Sequence, residues 1–298
     1  MKVVIGGGTG FVGRALTQLL HSKGHEVIII SRQSGPGRIT WEDLASKGLP
    51  PCDGAVNLAG ENLMNPWRWW NESYKRDLVS SRVETTRALA QAISSSPQPP
   101  QAWVLVTGVA CYKPSATVQY TEDSDWKEYD LLSRLVQEWE AAGRLPEESA
   151  ARTRPVVVRA GVVLGREGGA VKQMLWPFWL GLGGPVGSGR QPFPWIHVSD
   201  LAGIIAHALE PAPAARGVLN GVAPAADTNG DFAQALAWAL GRPALLGLPA
   251  FALNAALGPE RAAVLLQGQR VAPKRTLESG FVFGYPDLGS ALKEIVRS

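Results

Sequence analysis

The chain opens on an apolar run, Lys2-Val3-Val4-Ile5, and passes at once into Gly6-Gly7-Gly8-Thr9-Gly10-Phe11-Val12-Gly13. An apolar strand that ends in glycines and feeds an amphipathic helix is the opening βα unit of a dinucleotide-binding sheet. Apolar Phe11, Val12, Ala15, Leu16, Leu19 and Leu20 supply the helical spacing over 11–23. Two patterns overlap in the turn, Gly8-x-Gly10-x-x-Gly13 and Gly7-x-x-Gly10-x-x-Gly13. Glycine lets the backbone turn sharply and approach a pyrophosphate, and the helix start at Phe11 and Val12 adds free N–H groups and a positive dipole end. Gly7, Thr9, Gly10, Phe11, Val12 and Gly13 are therefore the expected phosphate-side contacts. The glycine spacing alone is a weak signal; its position between strand and helix gives it weight.

The rest of the chain fits that start. His25–Ile30 is a continuous β-branched run, as expected of a strand buried on both faces. Ala55–Leu58, Trp103–Thr107 and Pro155–Val158 read as further strands, with helices over 72–93 and 129–143 and loops at 33–40 and 94–100. Strand and helix in alternation predict an α/β Rossmann fold, a doubly wound parallel sheet. After about residue 160 the pattern loosens. Residues 161–194 are rich in Gly, Pro and Trp and read as loops over a cleft, followed by helices at 198–210 and 231–241. The stretch 245–298 carries short helical pieces and ends in an amphipathic segment at 288–297. The expected division is a nucleotide-binding domain over 1–240, with 161–197 on its substrate side, and a small mixed C-terminal lobe over 241–298.

The second strand selects the nucleotide. An acidic residue at its end would bind the ribose 2′-hydroxyl of NAD. No Asp or Glu occurs between Ile28 and Ile39; Ser31, Arg32 and Arg38 stand there instead. A hydroxyl and a guanidinium suit a 2′-phosphate, so the expected cofactor is NADP.

Composition removes other classes. Lys+Arg of 29 against Asp+Glu of 26 leaves a net charge of only +3, with no basic run to follow a nucleic acid. Two cysteines and four scattered histidines form neither a disulfide framework nor a metal-ligand cluster, so no metal is expected. No apolar stretch is long enough to span a bilayer, so no membrane partner is expected. No secretory signal pattern opens the chain, and a reducing intracellular, cytoplasmic location fits best, with mitochondria and nucleus left open.

Further stretches carry a resemblance. GGTGFVG, NLAGENL, SSRVETT, VVVRAGVVLGREGGA, FWLGLGGPVGSGRQPFPWIHVSDLAG and LLQGQRVAPKRTLESGFVFGYPDLGSAL together resemble the "epimerase family protein" group of atypical extended short-chain dehydrogenases/reductases. The likeness covers essentially the whole chain, including the group's own C-terminal segment. It implies a Rossmann fold with bound NADP and an oxidoreductase activity on an unidentified substrate. It also implies that Leu58, Ala59 and Gly60 of the NLAG turn, with Glu61 behind them, lie along the adenine and ribose. Arg82 stands where relatives place an Asn facing the cofactor, with Asp77 earlier on the same helix. Arg159 and Ala160, with Gly161, match the strand end beside the nicotinamide. The resemblance further implies a homodimer through the helices at 72–93 and 129–143.

Thr107 matches the superfamily's Ser/Thr, whose hydroxyl orients a carbonyl. The accompanying Tyr-x-x-x-Lys pair is absent: Tyr112 leads to Ala116, Tyr120 to Ser124 and Tyr129 to Ser133. Tyr112, His197 and Glu61 are the alternative sources of acid chemistry. His197 also has a structural reading, in a strand-to-helix turn where Asp200 is expected to cap the helix. Trp67, Trp69, Trp70, Trp176, Trp179 and Trp195 are expected to line a cleft at the strand ends, with Lys172, Arg190 and Arg270 available to an anionic substrate. Three functions compete: an NADP-dependent oxidoreductase acting on a small carbonyl or alcohol, a non-catalytic NADPH sensor, and a nucleotide-sugar epimerase. Ser31-Arg32 and the missing Tyr/Lys pair speak against the third.

Overall fold

A computed structural model describes residues 1–211 and 215–297. In its N-terminal part β1 (Lys2–Gly6), α1 (Phe11–Ser22), β2 (Glu26–Ser31), β3 (Arg38–Thr40), α2 (Trp41–Lys47), β4 (Gly54–Asn57), α3 (Glu72–Ser94) and β5 (Ala102–Gly108) follow in order. Then come β6 (Ser115–Tyr120), α4 (Leu131–Ala142), α5 (Glu147–Ala150), β7 (Arg154–Ala160), β8 (Val162–Gly165), α6 (Gly169–Trp179), β9 (Trp195–His197) and α7 (Val198–Leu209). The chain closes with β10 (Gly217–Gly221), α8 (Asn229–Leu240), α9 (Ala250–Leu257), α10 (Pro259–Leu266), β11 (Gln269–Val271), α11 (Lys274–Glu278) and α12 (Leu288–Arg297).

Seven strands form one parallel sheet in the order β10-β7-β5-β4-β1-β2-β3. The period of two in β1 sends Val3 and Ile5 to one face and Val4 to the other. Val3 and Ile5 join Leu16 and Leu20 of α1 and Leu201, Ile204 and Ile205 of α7. Val4 joins Leu44 of α2, Leu89 of α3 and Leu135 of α4. A second core lies outside the sheet, where Val171 and Phe178 of α6 meet Phe232 and Leu236 of α8 and Leu292 of α12. Among the described residues no helix is long and apolar enough to cross a membrane.

Four readings of the sequence change. The loop expected at 33–40 contains β3, an edge strand paired with β2, and α2 follows it under a Thr40/Asp43 capping box. Residues 161–194 are less irregular than their Gly and Pro content suggested, because β8 pairs with β9 and α6 buries Val171 and Phe178. The helix expected from 129 starts at Leu131, because Asp130 caps it from outside. Asp200 caps nothing: His197 is the N-cap of α7, its side chain accepting from the Ser199 amide. The Asp200 carboxylate instead accepts the backbone N–H groups of Gly284 and Tyr285 at 2.8 and 2.9 Å, which docks the C-terminal segment.

Candidate functional site

The chain runs outward from β1 through β2 to β3, then returns to β4 on the other side of β1. That reversal is a switch point at the carboxyl ends of β1 and β4, the place where open α/β sheets take ligands. Gly7 sits in it at φ +75°, and a Cβ there would stand 2.7 Å from the Ala59 nitrogen. A Cβ on Gly13 would fall 2.5 Å from the Gly7 carbonyl oxygen. Both positions are closed to larger residues, so the loop folds tightly onto the start of α1. Gly10 is the N-cap of α1 and offers no side-chain hydrogen bond, which leaves the first N–H groups of the helix for a ligand. Thr9 and Gly10 are exposed at the loop tip.

Phe11 has a further role that its place in the motif did not disclose. Its ring lies against Gly165, Gly168 and Gly169, where added Cβ atoms would fall 2.7, 2.5 and 3.1 Å from ring carbons. The turn between β8 and α6 is thus shaped around a residue of the nucleotide loop.

At the end of β2 the Ser31 hydroxyl donates to the Gln33 carbonyl and accepts from the Gln33 amide at 3.3 Å. That local turn fixes the strand end and leaves Arg32 exposed. Across the crevice, the Leu58 amide donates to the Gly6 carbonyl at 2.8 Å and the Ala59 amide to Asn57 Oδ1 at 3.0 Å. Asn57 Nδ2 in turn donates to Thr86 Oγ1 of α3 at 2.8 Å. Arg82 lies beneath this turn. Its Nη2 donates to the Glu61 carbonyl at 2.8 Å, its Nη1 to the Leu78 carbonyl at 3.1 Å, and its guanidinium sits 5.2 Å from the Trp139 ring. A Cβ on Gly60 would stand 3.0 Å from Arg82 Cζ. Burial pulls the Arg82 guanidinium down to about 10. The Glu61 amide donates to Ser81 Oγ. Asp77 turns elsewhere, to an ion pair with Arg68 at 2.7 Å, and does not share the place of Arg82.

The ends of β5 and β7 carry a closed polar network. The Thr107 hydroxyl donates to Glu140 Oε1 at 3.2 Å. Arg159 grips the same carboxylate with two bonds of 2.8 Å, from Nε to Oε1 and from Nη2 to Oε2. Arg159 Nη1 donates to the Tyr112 hydroxyl at 3.0 Å, and that hydroxyl faces the Thr121 carbonyl and Asn220 Oδ1, each at 3.1 Å. Tyr112, expected as a proton donor, is fully buried and engaged on every side. Burial pushes its phenol up to about 12 against the opposing pull of Arg159. The guanidinium of Arg159, expected beside the nicotinamide, faces inward to Glu140, while Ala160 pairs with Gly108 at the sheet end. A cavity of about 250 Å³ opens beside the network, lined in part by Lys113, Tyr120, Trp126 and Tyr129. The Tyr120 ring stacks on Tyr112 at 5.0 Å, and Arg159 lies 5.4 Å from the Trp126 ring.

His197 is buried, with Nε2 3.0 Å from Glu294 and its ring against Tyr285. The six tryptophans do not form one wall. Trp195 is in the second core, Trp70 donates to the Leu63 carbonyl, and Trp67 and Trp69 are 91% and 70% exposed. Lys172, Arg190 and Arg270 are exposed. Glu140, Asn220 and Arg261 are the residues that sequence reasoning missed. Arg261, buried in α10, holds the loop before α3 by donating to the carbonyls of Asn65 and Arg68 at 2.9 Å each. Its place beside the apolar run Ala262–Leu266 of α10 was the available hint.

Comparison with known proteins agrees with this geometry. The profile of the NAD dependent epimerase/dehydratase family matches residues 3–220, and that of a domain of unknown function, DUF1731, matches residues 248–295. The chain is 61% identical over 297 residues to epimerase family protein SDR39U1 of Bos taurus, covering 99% of this chain and 100% of the relative. It is 36% identical over 305 residues to epimerase family protein YfhF of Bacillus subtilis, covering 99% and 98%. The crystal structure of human epimerase family protein SDR39U1 with NADPH is similar at a TM-score of 0.97 and 60% identity, over 100% of this chain and 99% of that one.

Proposed function

This chain belongs to the NAD dependent epimerase/dehydratase family, and on that premise we propose that it binds NADP(H) and acts as an oxidoreductase on a small carbonyl or alcohol. The observation that carries the reading is the cradle at Gly7 and Gly13, where any Cβ would meet backbone within 2.7 Å, set against the open N-terminus of α1. The NADPH held by the human relative supports the same cofactor. In this reading the backbone of Gly7 to Gly13 receives the pyrophosphate, and Ser31 and Arg32 receive the 2′-phosphate. Leu58, Ala59 and Gly60 flank the nucleoside, while Arg82 fixes their turn through the Glu61 carbonyl. Bound NADP(H) supplies or accepts the hydride.

Thr107 stands at the reacting end of β5. Its hydrogen is committed to Glu140, so its oxygen keeps lone pairs that can accept. That arrangement suits a substrate hydroxyl that donates to Thr107; on oxidation its proton would pass through Thr107 to the Glu140 carboxylate, and the hydride from its carbon to NADP. Arg159 and Tyr112 act through Glu140 as positioning residues.

A second reading, a non-catalytic NADPH sensor, draws on the same network. The Tyr112 phenol and the Thr107 hydrogen are both already bonded, and neither is offered to a ligand. One experiment separates the two. Calorimetric titration should give binding of NADPH at least tenfold tighter than NADH; equal affinity removes the cofactor assignment. NADPH oxidation, and NADP reduction in the opposite direction, are then followed against a panel of carbonyls, quinones and alcohols. Turnover that Thr107→Ala lowers by tenfold or more supports the oxidoreductase. Tight NADPH binding without turnover of any compound supports the sensor.

A further inference from the structure

The most anomalous surface of the molecule lies away from the nucleotide crevice. On α6, Lys172, Trp176 and Trp179 follow one another at spacings of four and three, so they share one stripe of the helix. Val171 and Phe178 point the other way, into the second core. The stripe is open: Trp176 is 72% exposed and Trp179 53%, with their rings 6.1 Å apart and edge to face. The chain then runs through Leu180 and Leu182, both exposed.

A second segment lies alongside and extends the same surface. The Leu246 amide donates to the Gly183 carbonyl at 3.3 Å, the Leu248 amide to the Pro185 carbonyl at 2.9 Å, and the Gly187 amide to the Leu248 carbonyl at 2.9 Å. These bonds lay 246–248 along 183–187, and Leu245, Leu246, Leu248 and Phe251 add exposed apolar side chains to the two joined segments, Leu245 and Phe251 at 83% and 77%. Arg242 of the same segment sits 5.8 Å from the Trp179 ring. Monomeric proteins seldom leave this many large apolar side chains together in water.

Charge decides what fits. Between Glu167 and Asp200, and again between Asp231 and Glu260, the chain has no Asp or Glu, while these two segments contain Lys172, Arg190 and Arg242. Among the described residues, neither Lys172 nor Arg242 has an acidic partner. A twofold contact between two copies through this face would bring like charges together. An anionic bilayer surface meets both properties at once: indoles and leucines enter the headgroup boundary, and the cations face lipid phosphates. We propose that the face formed by α6 and residues 242–251 is a peripheral membrane-docking surface that takes an anionic lipid bilayer. It lies on the surface without spanning, since the apolar stripe is one side of an eleven-residue helix.

The test uses the full-length protein with extruded vesicles of phosphatidylcholine alone and of phosphatidylcholine with one third phosphatidylglycerol. The protein should co-sediment with the anionic vesicles, and binding should weaken as salt rises. Reversing both cations, Lys172→Glu with Arg242→Glu, should lower the partition coefficient by about tenfold or more, since each cation near such a surface contributes a factor of about five. Trp176→Ser with Phe251→Ser should abolish it. Thermal melting confirms that the variants are folded, and these exposed sites carry no core contact whose loss would unfold the chain. A wild-type protein that ignores anionic vesicles overturns the proposal, as does binding that neither double variant weakens. So does a dimer in light scattering that Trp176→Ser with Phe251→Ser dissociates while the wild type shows no vesicle binding, because the face would then belong to a second copy.

Discussion

Glu140 takes three hydrogen bonds on one carboxylate, two from Arg159 and one from Thr107, at a site largely closed to water. A buried ion pair contributes little net stability while intact, but removing one partner leaves an uncompensated charge. Arg159→Met should therefore cost about 3–5 kcal/mol in urea unfolding. The double variant Arg159→Met, Glu140→Gln should recover a good part of that loss, and equal losses in the two would show that packing rather than charge is at stake. None of this was legible in the chain. Glu140 is one of two acids on an amphipathic helix, and its partner lies on a strand beyond an intervening helix, so no local pattern joins them. Gly7 and Gly13 were legible because their constraint is steric and local: a fixed spacing between a strand and a helix states it in full. The phenol of Tyr112 misled for the opposite reason. Closeness in sequence to Thr107 says nothing of where a hydroxyl points, and Arg159 and Asn220, both distant in the chain, decide that.

At the scale of elements, α1, α3, α4, α7, α8 and α12 and the strands β1, β2, β4, β5 and β7 were read from the sequence, because burial imposes a period that their residues display. β3, β8, β9 and β11 were not, since three or four residues are too few to show a period, and neither were β6, which is mostly exposed, and β10, which is bounded by glycines. The docking of the C-terminal segment escaped for another reason: it depends on single carboxylates taking backbone amides, which any sequence supplies. Glu122 accepts the amides of Asn220 and Arg275 at 2.9 and 3.0 Å, and Asp200 accepts those of Gly284 and Tyr285. Charge-assisted bonds of this kind contribute about 1.5–3 kcal/mol each when a charged partner is involved. Asp200→Asn keeps the shape and removes the charge, so it should loosen this attachment before it disturbs the sheet. Limited proteolysis should cut within 280–287 at least tenfold faster in the variant, with NADPH affinity unchanged. A rate equal to that of the wild type would show that α12 and its core contacts hold the segment unaided.

Across the whole molecule, the attachment of α12 is also tied to pH. Burial draws the His197 imidazole below its ordinary value of 6.5, although Glu294 opposes the shift. The unfolded chain therefore takes up this proton before the folded one does. The stability contributed here is complete above about 6.5 and is lost as pH falls through the lower folded value. Urea unfolding between pH 5 and pH 8 should show a falling limb below 6.5 that His197→Gln flattens; an unchanged limb would assign the acid sensitivity to carboxylates elsewhere. The loosening of the pattern near residue 160 was readable in the sequence, yet the sheet does not end there, since β10 returns to pair with β7. The apolar face over α6 and 242–251 was not readable, because it exists only once two separated segments lie side by side. The same separation gives the ring of Phe11 a meaning for descent. Three glycines far along the chain leave room for one aromatic side chain in the first loop, so neither party can drift alone. A methyl group gained at Gly168 would be answered in the glycine loop, and a larger residue at position 11 would need a wider turn before α6. Sequence change in the two halves of this protein should therefore be correlated through that seat, and a graft of one relative's lobe onto another's sheet should succeed only when the ring and its glycines are exchanged as a set.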